Sequence, residues 1–192
     1  MRVQALLVLV AIATISGSGA SQAAADPWRT LYRPLKVPRL APGAECPASK
    51  PDDSVDFDGF GIAQGVGPGP AYPVGLNVAD GTLTLGPARN FGSRDWMGQK
   101  VLWFVLPQYR GPVLIRGRQV DGSYRVRFDR GSLPPLELRI APNESVYWDG
   151  QPRGSRGRPS YTRLRAPGCY GYQIDGRTFS RAIVFLAVRT RS

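Results

Sequence analysis

Four arginines around one predicted turn are the side chains of this chain whose types and spacing could do chemistry. The pair Asp121-Gly122 stands between two alternating apolar and polar runs, 113–120 and 123–129, and predicts a β-hairpin closed by a two-residue type I′ turn. Because side chains alternate between the faces of a strand, this register places the arginines on one face in two opposing pairs. The pairs are Arg118 with Arg125 and Arg116 with Arg127, and the other face holds Val113, Ile115, Tyr124, Val126 and Phe128.

The predicted arginine face carries an excess of positive charge. Like charges opposite each other in a β-ladder are destabilising, so the face needs counter-ions, solvent or an anionic ligand. Asp129 and Glu137 are the available internal carboxylates, and residues 153–158, Arg163 and Arg165 add positive charge if they fold onto the same side. Planar guanidinium groups match phosphate, sulfate and carboxylate, so we predict an anion-binding site. A merely solvated charged face is the other interpretation.

Catalysis has few candidate residues. The 192 residues include no histidine, which excludes serine–histidine and cysteine–histidine catalysis and histidine-ligated metals. Carboxylates remain, so an enzyme that uses two acids to act on glycans is the alternative to a binding module. The candidate acids, among which no spacing selects a pair, are Asp52, Asp53, Asp56, Asp58 and Asp95.

One acidic segment has part of the pattern of a calcium-binding loop. Ser54, Asp56, Asp58 and Gly59 have the right order, but Gly65 stands where the loop needs a bidentate glutamate. We therefore predict a solvated acidic loop, with no metal and no other cofactor.

Exposed aromatic rings that bind sugars are a third hypothesis. Tyr147 and Trp148 lie beside a predicted turn, and Tyr161, Tyr170 and Tyr172 follow towards the end of the chain. Single aromatic residues near turns more often belong to the edge of a core, so this hypothesis ranks below anion binding.

The first 25 residues have the pattern of a secretory signal peptide. Arg2 precedes an apolar run from Ala5 to Ile15, and three alanines, 23–25, precede a predicted cleavage site before Asp26. We expect a secreted or extracytoplasmic protein that has no transmembrane segment after cleavage and whose cysteines lie in an oxidising environment.

The charge balance favours anionic partners. The chain has 25 basic and 14 acidic residues, a net charge of +11. Arginine outnumbers lysine by 22 to 3, a skew that GC-rich codon usage also produces without selection for binding. Outside a cell the candidate partners are anionic wall polymers, lipid head groups and acidic glycans, whereas nucleic acid is disfavoured because exported proteins seldom meet it. The oligomeric state is left open.

Short β-like runs separated by turns predict an all-β domain over residues 71–192. Strands are expected at 82–85, 101–106, 136–140 and 182–188, besides the hairpin. This spacing is typical of a β-sandwich or a small barrel. Residues 26–70 are rich in proline and glycine and are predicted to run as an extended arm over the surface of that domain.

Cys46 and Cys169 are the two cysteines, and their separation is too wide for a zinc or CxxC redox motif. In an oxidising compartment such a pair is best interpreted as a disulfide, which stabilises the fold by on the order of 4 kcal/mol in the chain-entropy model. Two free thiols are the alternative.

The motif PGCYGYQIDG at residues 167–176, with the following strand to Val188, resembles the last hairpin of immunoglobulin-like domains in exported bacterial proteins. Together with residues 40–47 and 67–70, it is similar to a group of uncharacterised secreted bacterial proteins with a cysteine in each of two such places. The resemblance implies an immunoglobulin-like β-sandwich and a disulfide, and it brings no catalytic residues.

The sequence departs from the antibody pattern at both cysteines. Pro167 stands where antibody domains have a tyrosine, two residues before the second cysteine, and Cys46 lies in the proline-rich arm. The bridge is therefore predicted to pin the arm to the sandwich rather than to join its two sheets. The sequence thus predicts an exported, non-enzymatic binding or envelope-associated module with a basic sheet face.

Overall fold

The structure, a computed structural model, describes residues 26–41, 43–144, 148 and 150–190. The predicted signal peptide, residues 1–25, lies outside this part of the chain. The strands are β1 Ala71–Val74, β2 Thr82–Leu85, β3 Met97–Val105, β4 Val113–Gln119, β5 Arg127–Phe128, β6 Glu137–Ile140, β7 Arg156–Leu164, β8 Gly168–Gly176 and β9 Ser180–Arg189. Three short 3-10 turns, Arg29–Leu31, Asp58–Phe60 and Ala88–Phe91, accompany them. Among the described residues, no helix has the length and apolar character needed to cross a membrane.

The strands form two sheets. One sheet has the order β1-β3-β7-β5, and the other has the order β2-β9-β8-β4-β6. Paired strands are antiparallel except β2 and β9, which run parallel. The predicted all-β, two-sheet architecture is therefore confirmed.

Alternation along the strands fills the space between the sheets with apolar side chains. Trp103 of β3 and Tyr172 of β8 are fully buried and meet edge to face, with ring centroids 5.0 Å apart. The hydroxyls of Tyr172 and Thr162 of β7 lie 2.6 Å apart and join the two sheets by a hydrogen bond. Burial of such rings and branched side chains is the main favourable contribution to folding.

The arm covers the outer face of the five-stranded sheet. Residues 33–40 cross it as extended chain, and the Leu40 amide donates to the Val120 carbonyl at 2.8 Å. Val37 packs against this face above Gly171 of β8, where a Cβ atom would overlap the valine side chain. The arm is thus packed onto the sheet and is part of the fold.

A later stretch of the arm covers the outer face of the four-stranded sheet. Phe57 packs edge to face on Tyr72 of β1, with ring centroids 5.1 Å apart, and also contacts Phe104 of β3. Trp148 lies against the same Phe104 ring, at 6.0 Å between centroids. Strand β3 is therefore covered on both faces, as its continuous apolar sequence predicts.

The disulfide between Cys46 and Cys169 is present, with Cα atoms 5.5 Å apart. It joins the arm to β8 rather than one sheet to the other, as the sequence predicts.

The predicted hairpin is correct beside its turn and wrong beyond it. Arg118 and Arg125 face each other in an antiparallel bridge, and the Val126 amide donates to the Gly117 carbonyl at 3.0 Å. Beyond Val126 the chain crosses to the other sheet, where β5 pairs with β7. The turn is not type I′, because neither of its two central residues has a positive φ.

The predicted pairing of Arg116 with Arg127 is therefore wrong. Arg116 lies in register with Glu137 of β6 and Gln173 of β8, whereas Arg127 faces Arg163 of β7. Because the chain crosses, Phe128 of β5 packs into the core from the opposite sheet. The edge of β4 is then free to pair with β6. The predicted core face is also wrong at one residue, since the Tyr124 side chain is exposed while its apolar companions are buried.

Candidate anion site

Two of the four predicted arginines bind the arm. Arg116 Nη2 donates to the Arg33 carbonyl at 2.6 Å. Arg118 Nη2 donates to the carbonyls of Val37 and Pro38, the latter at 3.2 Å. An extended proline-rich segment has no hydrogen bonds of its own, so its buried carbonyls need donors from elsewhere, and guanidinium groups supply several each.

A glutamine on the neighbouring strand completes this contact. Gln173 Nε2 donates to the Pro34 carbonyl at 3.0 Å, and its Oε1 accepts from the Lys36 amide at 2.6 Å. The face of β4 that was predicted to be open to solvent or to an anion is thus covered by the arm, and its polar side chains bind main-chain groups of the arm. Burial, followed by the charges of Arg39 and Arg125, lowers the pKa of Arg118.

The counter-ion of Arg116 is Asp175, a fully buried carboxylate on β8. Arg116 Nη2 lies 2.8 Å from Asp175 Oδ2, and Arg33 Nη1 of the arm lies 3.5 Å from Oδ1. Ser180 Oγ donates to Oδ1 at 2.6 Å and Gln173 Nε2 donates to Oδ2 at 2.9 Å. This carboxylate therefore links the arm to strands β4, β8 and β9.

Sequence reasoning missed Asp175 and expected Asp129 and Glu137 as counter-ions. Those carboxylates bind other arginines: Asp129 pairs with Arg158 at 3.2 Å and Glu137 with Arg139 at 2.7 Å. The signal for Asp175 was its alternation with the core residues of β8, which places it on the same face as Gln173.

The other two predicted arginines lie apart from this contact. Arg127 is half-buried, donates to the Pro134 carbonyl at 2.5 Å and lies 5.0 Å from the centre of the Trp96 ring. Arg125 is exposed, and its side chain has no hydrogen bond or ion pair with the rest of the described chain. Binding of an anion by the predicted set of four stays a prediction, but the structure does not bring them onto one open face.

Arg163, which would add positive charge to the predicted arginine face if it folded onto that side, is fully buried in the four-stranded sheet. Its guanidinium donates to the carbonyls of Trp96, Phe91 and Asp129 at 2.6–3.2 Å. Burial, and then the charge of Arg130, lowers the pKa of Arg163. Arg163 thus anchors the loop before β3 and the end of β5 to β7.

Replacing Arg163 by methionine is expected to lower the free energy of unfolding by about 2–3 kcal/mol. Methionine removes a buried charge, which is favourable, but it takes the guanidinium donors away from three carbonyls, of which only that of Phe91 keeps another donor that the structure shows, the Gly131 amide. The second effect is larger. Arg163→Lys keeps the charge, but the single ammonium group of lysine cannot reach the three carbonyls that the planar guanidinium binds. This variant should therefore also be less stable than the parent. Urea unfolding followed by tryptophan fluorescence measures both variants, and a methionine variant as stable as the parent would contradict this role.

Two acidic residues of the arm, Asp52 and Asp56, accept hydrogen bonds from neighbouring groups of the protein. Asp52 Oδ1 accepts from Ser54 Oγ at 2.5 Å and Oδ2 accepts from Tyr72 Oη at 2.7 Å, and these hydrogen bonds lower the pKa of Asp52. Asp56 Oδ1 accepts from the Gly59 amide at 2.9 Å. No group of three or more metal-ligating side chains occurs in the described ranges.

Two of the aromatic residues proposed to bind sugar, Tyr170 and Tyr172, are in the core, which contradicts that role for them. Both rings stack with Phe185 of β9, because the residues that alternate with the arm-facing row of β8 point inward. Tyr161 is half-buried and its hydroxyl accepts from Arg130 at 3.1 Å. Trp148 is half-buried as well, and Tyr147 lies outside the described residues.

Unpaired arginines meet instead at a polar cleft of about 370 Å³. Its lining consists of Arg94, Asp95, Met97, Tyr124, Arg165 and Arg189. The three arginines are exposed, and none makes an ion pair or hydrogen bond to a side chain or carbonyl in the described part of the protein. We call this group the arginine cleft.

Strand ends and one turn position the arginine cleft. The first residue of β3, Met97, is in register with the last residue of β7, so the residues that flank these strands come together. Ser93 Oγ accepts from the amides of Asp95 and Trp96 at 3.2 and 3.1 Å and fixes the loop before β3. The guanidinium of Arg165 lies 4.8 Å from the centre of the buried Trp96 ring. The cleft is therefore built on rigid supports.

The sequence alone does not show that Asp95 and Arg165 are neighbours, because their proximity depends on the pairing of β3 with β7. No protein-family model, curated protein or solved structure matches this chain. The functional argument therefore depends on the geometry of the site.

Proposed function

We propose that this chain is an exported, non-enzymatic module that binds anionic polymers of the cell envelope. The observation that carries the proposal is the arginine cleft, where three exposed guanidinium groups that have no acceptor among the described residues lie beside one carboxylate. Such groups bind phosphate, sulfate and carboxylate through paired hydrogen bonds. Arg125, which follows Tyr124 of the cleft in the chain, is the exposed member of the predicted arginine set, and its side chain has no acceptor in the described part of the chain. The intramolecular disulfide fits an extracytoplasmic location.

We also propose that the sandwich is a variant of the immunoglobulin-like fold. In support, the order β1-β3-β7-β5 matches the A-B-E-D sheet of that fold, and β9-β8-β4 matches its G-F-C sheet. The parallel pairing of β2 with β9 adds a further edge strand. The chain departs from that fold where β5 joins the first sheet before β6 returns to the second, and in a disulfide that binds the arm.

Changing the three arginines of the cleft to serine is expected to weaken binding to heparin and to phosphocellulose by at least about tenfold at low salt, with a shallower dependence on salt. The cause is the loss of three cations that contact the polymer. Elution from both matrices over a salt gradient, followed by titration with soluble heparin, measures the effect.

A matched control removes the same charge elsewhere. Arg29, Arg153 and Arg177 are exposed, and their side chains make no hydrogen bond within the described ranges. The corresponding triple serine variant should change affinity by less than about threefold, through net charge alone. Equal losses in the two triple variants would show that net charge, and not the arginine cleft, causes retention.

A further inference from the structure

We infer that the ligand of the arginine cleft is an acidic glycan, of which one sugar residue with free hydroxyls and a negative charge sits between the arginines and Asp95. This inference rests on the proposed function and adds the chemical class of the polymer. It depends on two cleft residues that binding of a bare anion leaves unexplained, Asp95 and Tyr124.

Asp95 is an exposed carboxylate among three arginines, yet none of them lies within ion-pair distance of it. A carboxylate repels phosphate or sulfate, so a site for a bare anion is weakened by it. A carboxylate is, however, a strong acceptor for hydroxyl donors. A ligand that gains from both kinds of group must carry hydrogen-bond donors beside its negative charge, and an acidic sugar does so through its hydroxyls.

Tyr124 provides the second observation. Its side chain is 41 % exposed although it belongs to a hairpin whose neighbouring apolar side chains are buried. Tyr124 is one of the residues that line the arginine cleft, and its hydroxyl makes no hydrogen bond in the described part of the chain. An exposed ring beside polar groups can pack against the C–H face of a sugar while its hydroxyl binds a ring substituent. Inorganic anions have no such face.

The apolar residues on the surface argue against a lipid head group. Apart from Tyr124, Met97 is the apolar side chain in the cleft lining. The most exposed leucines, Leu133 and Leu136, are in the loop between β5 and β6 and take no part in this lining. A module that binds a membrane surface needs apolar side chains around its basic site to enter the interface.

The test compares polyanions with and without hydroxyls. The secreted protein with its disulfide intact is titrated by calorimetry at fixed ionic strength with oligogalacturonate, with heparin oligosaccharides and with inorganic polyphosphate. Asp95→Ala should weaken binding of at least one glycan by about tenfold, through loss of hydroxyl hydrogen bonds to a charged acceptor. The same variant should strengthen polyphosphate binding by about twofold, because it removes a repulsive charge.

The opposite signs make the outcomes distinct. The glycan inference would be overturned if Asp95→Ala bound all three polymers more tightly, or if the unaltered protein bound neither glycan. Binding of polyphosphate in these cases would still support an anion site. If the triple arginine variant bound every polymer as tightly as the parent, the proposed function itself would fail at this site.

Tyr124 variants separate the ring from its hydroxyl. Tyr124→Leu should reduce glycan affinity by about fivefold and leave polyphosphate affinity unchanged, since one stacked ring contributes on this scale. Tyr124→Phe keeps the ring and should retain most of the affinity. If the parent and the Tyr124→Leu variant bound both glycans with the same affinity, packing of a sugar on this ring would be contradicted.

Discussion

Replacing Asp175 by asparagine is expected to lower the free energy of unfolding by about 3–5 kcal/mol, the range found when one partner of a buried ion pair is removed. Asp175 is fully buried and binds Arg116 and Arg33, whose side chains are 17 % and 33 % exposed. Asparagine has a similar shape, so the variant tests charge and hydrogen bonding rather than packing. Its NH2 group replaces one of the two carboxylate oxygens, so it places a donor next to either Ser180 Oγ or Gln173 Nε2, which both donate to the carboxylate in the parent.

The control and a second variant separate the causes. Asp58→Asn changes an exposed carboxylate that makes no side-chain hydrogen bond in the described part of the chain, and should shift stability by less than about 0.5 kcal/mol. Adding Arg116→Met to Asp175→Asn should recover part of the loss, because it removes an unpaired buried charge. Urea unfolding gives the four free energies of a double-mutant cycle. Additive losses from Asp175→Asn and Arg116→Met would show that the two side chains do not stabilise each other.

Alternation of polar and apolar residues was enough to predict the architecture. The alternating run at 82–85 predicts a strand with one apolar face, and β2 forms there. The continuous apolar run at 101–106 predicts a strand that is covered on both faces, and it lies at the end of β3. The hairpin was predicted correctly only as far as Val126. Beyond that point the register depends on which sheet edge is free, and a local pattern does not contain that information.

The arginine face shows why charge patterns alone did not find the site. Arg116 and Arg118 are on one face of β4, as predicted, but the proline-rich arm lies over them. The proline-rich sequence of the arm predicts extended chain on the surface, but its carbonyls, once buried, need donors. Several arginines supply these donors, including Arg156, which binds the carbonyls of Ala141, Tyr109 and Gly111. Much of the arginine excess therefore has a structural role, whereas the three arginines of the cleft are exposed and have no acceptor in the described part of the chain.

Loss of the disulfide through Cys46→Ser and Cys169→Ser is expected to destabilise the protein by about 4–5 kcal/mol in the chain-entropy model. The bridge closes 123 residues of chain, so its absence enlarges the unfolded ensemble. The folded state should change little, because Arg116, Arg118 and Gln173 still bind the arm. Chemical unfolding of the double serine variant, with the reduced parent as a control, measures the loss.

Limited proteolysis then distinguishes the covalent from the non-covalent attachment of the arm. Under native conditions the arm of the double serine variant should resist cleavage, since its carbonyls remain bound to the sheet. Adding Arg118→Ser removes the donor to Val37 and Pro38 and should make the arm cleavable several times faster, because local opening then costs less free energy. Arg153→Ser, which changes an exposed arginine elsewhere, is the matched control. Rapid cleavage of the arm after loss of the disulfide alone would mean that the covalent bond, and not the guanidinium contacts, keeps it on the sheet.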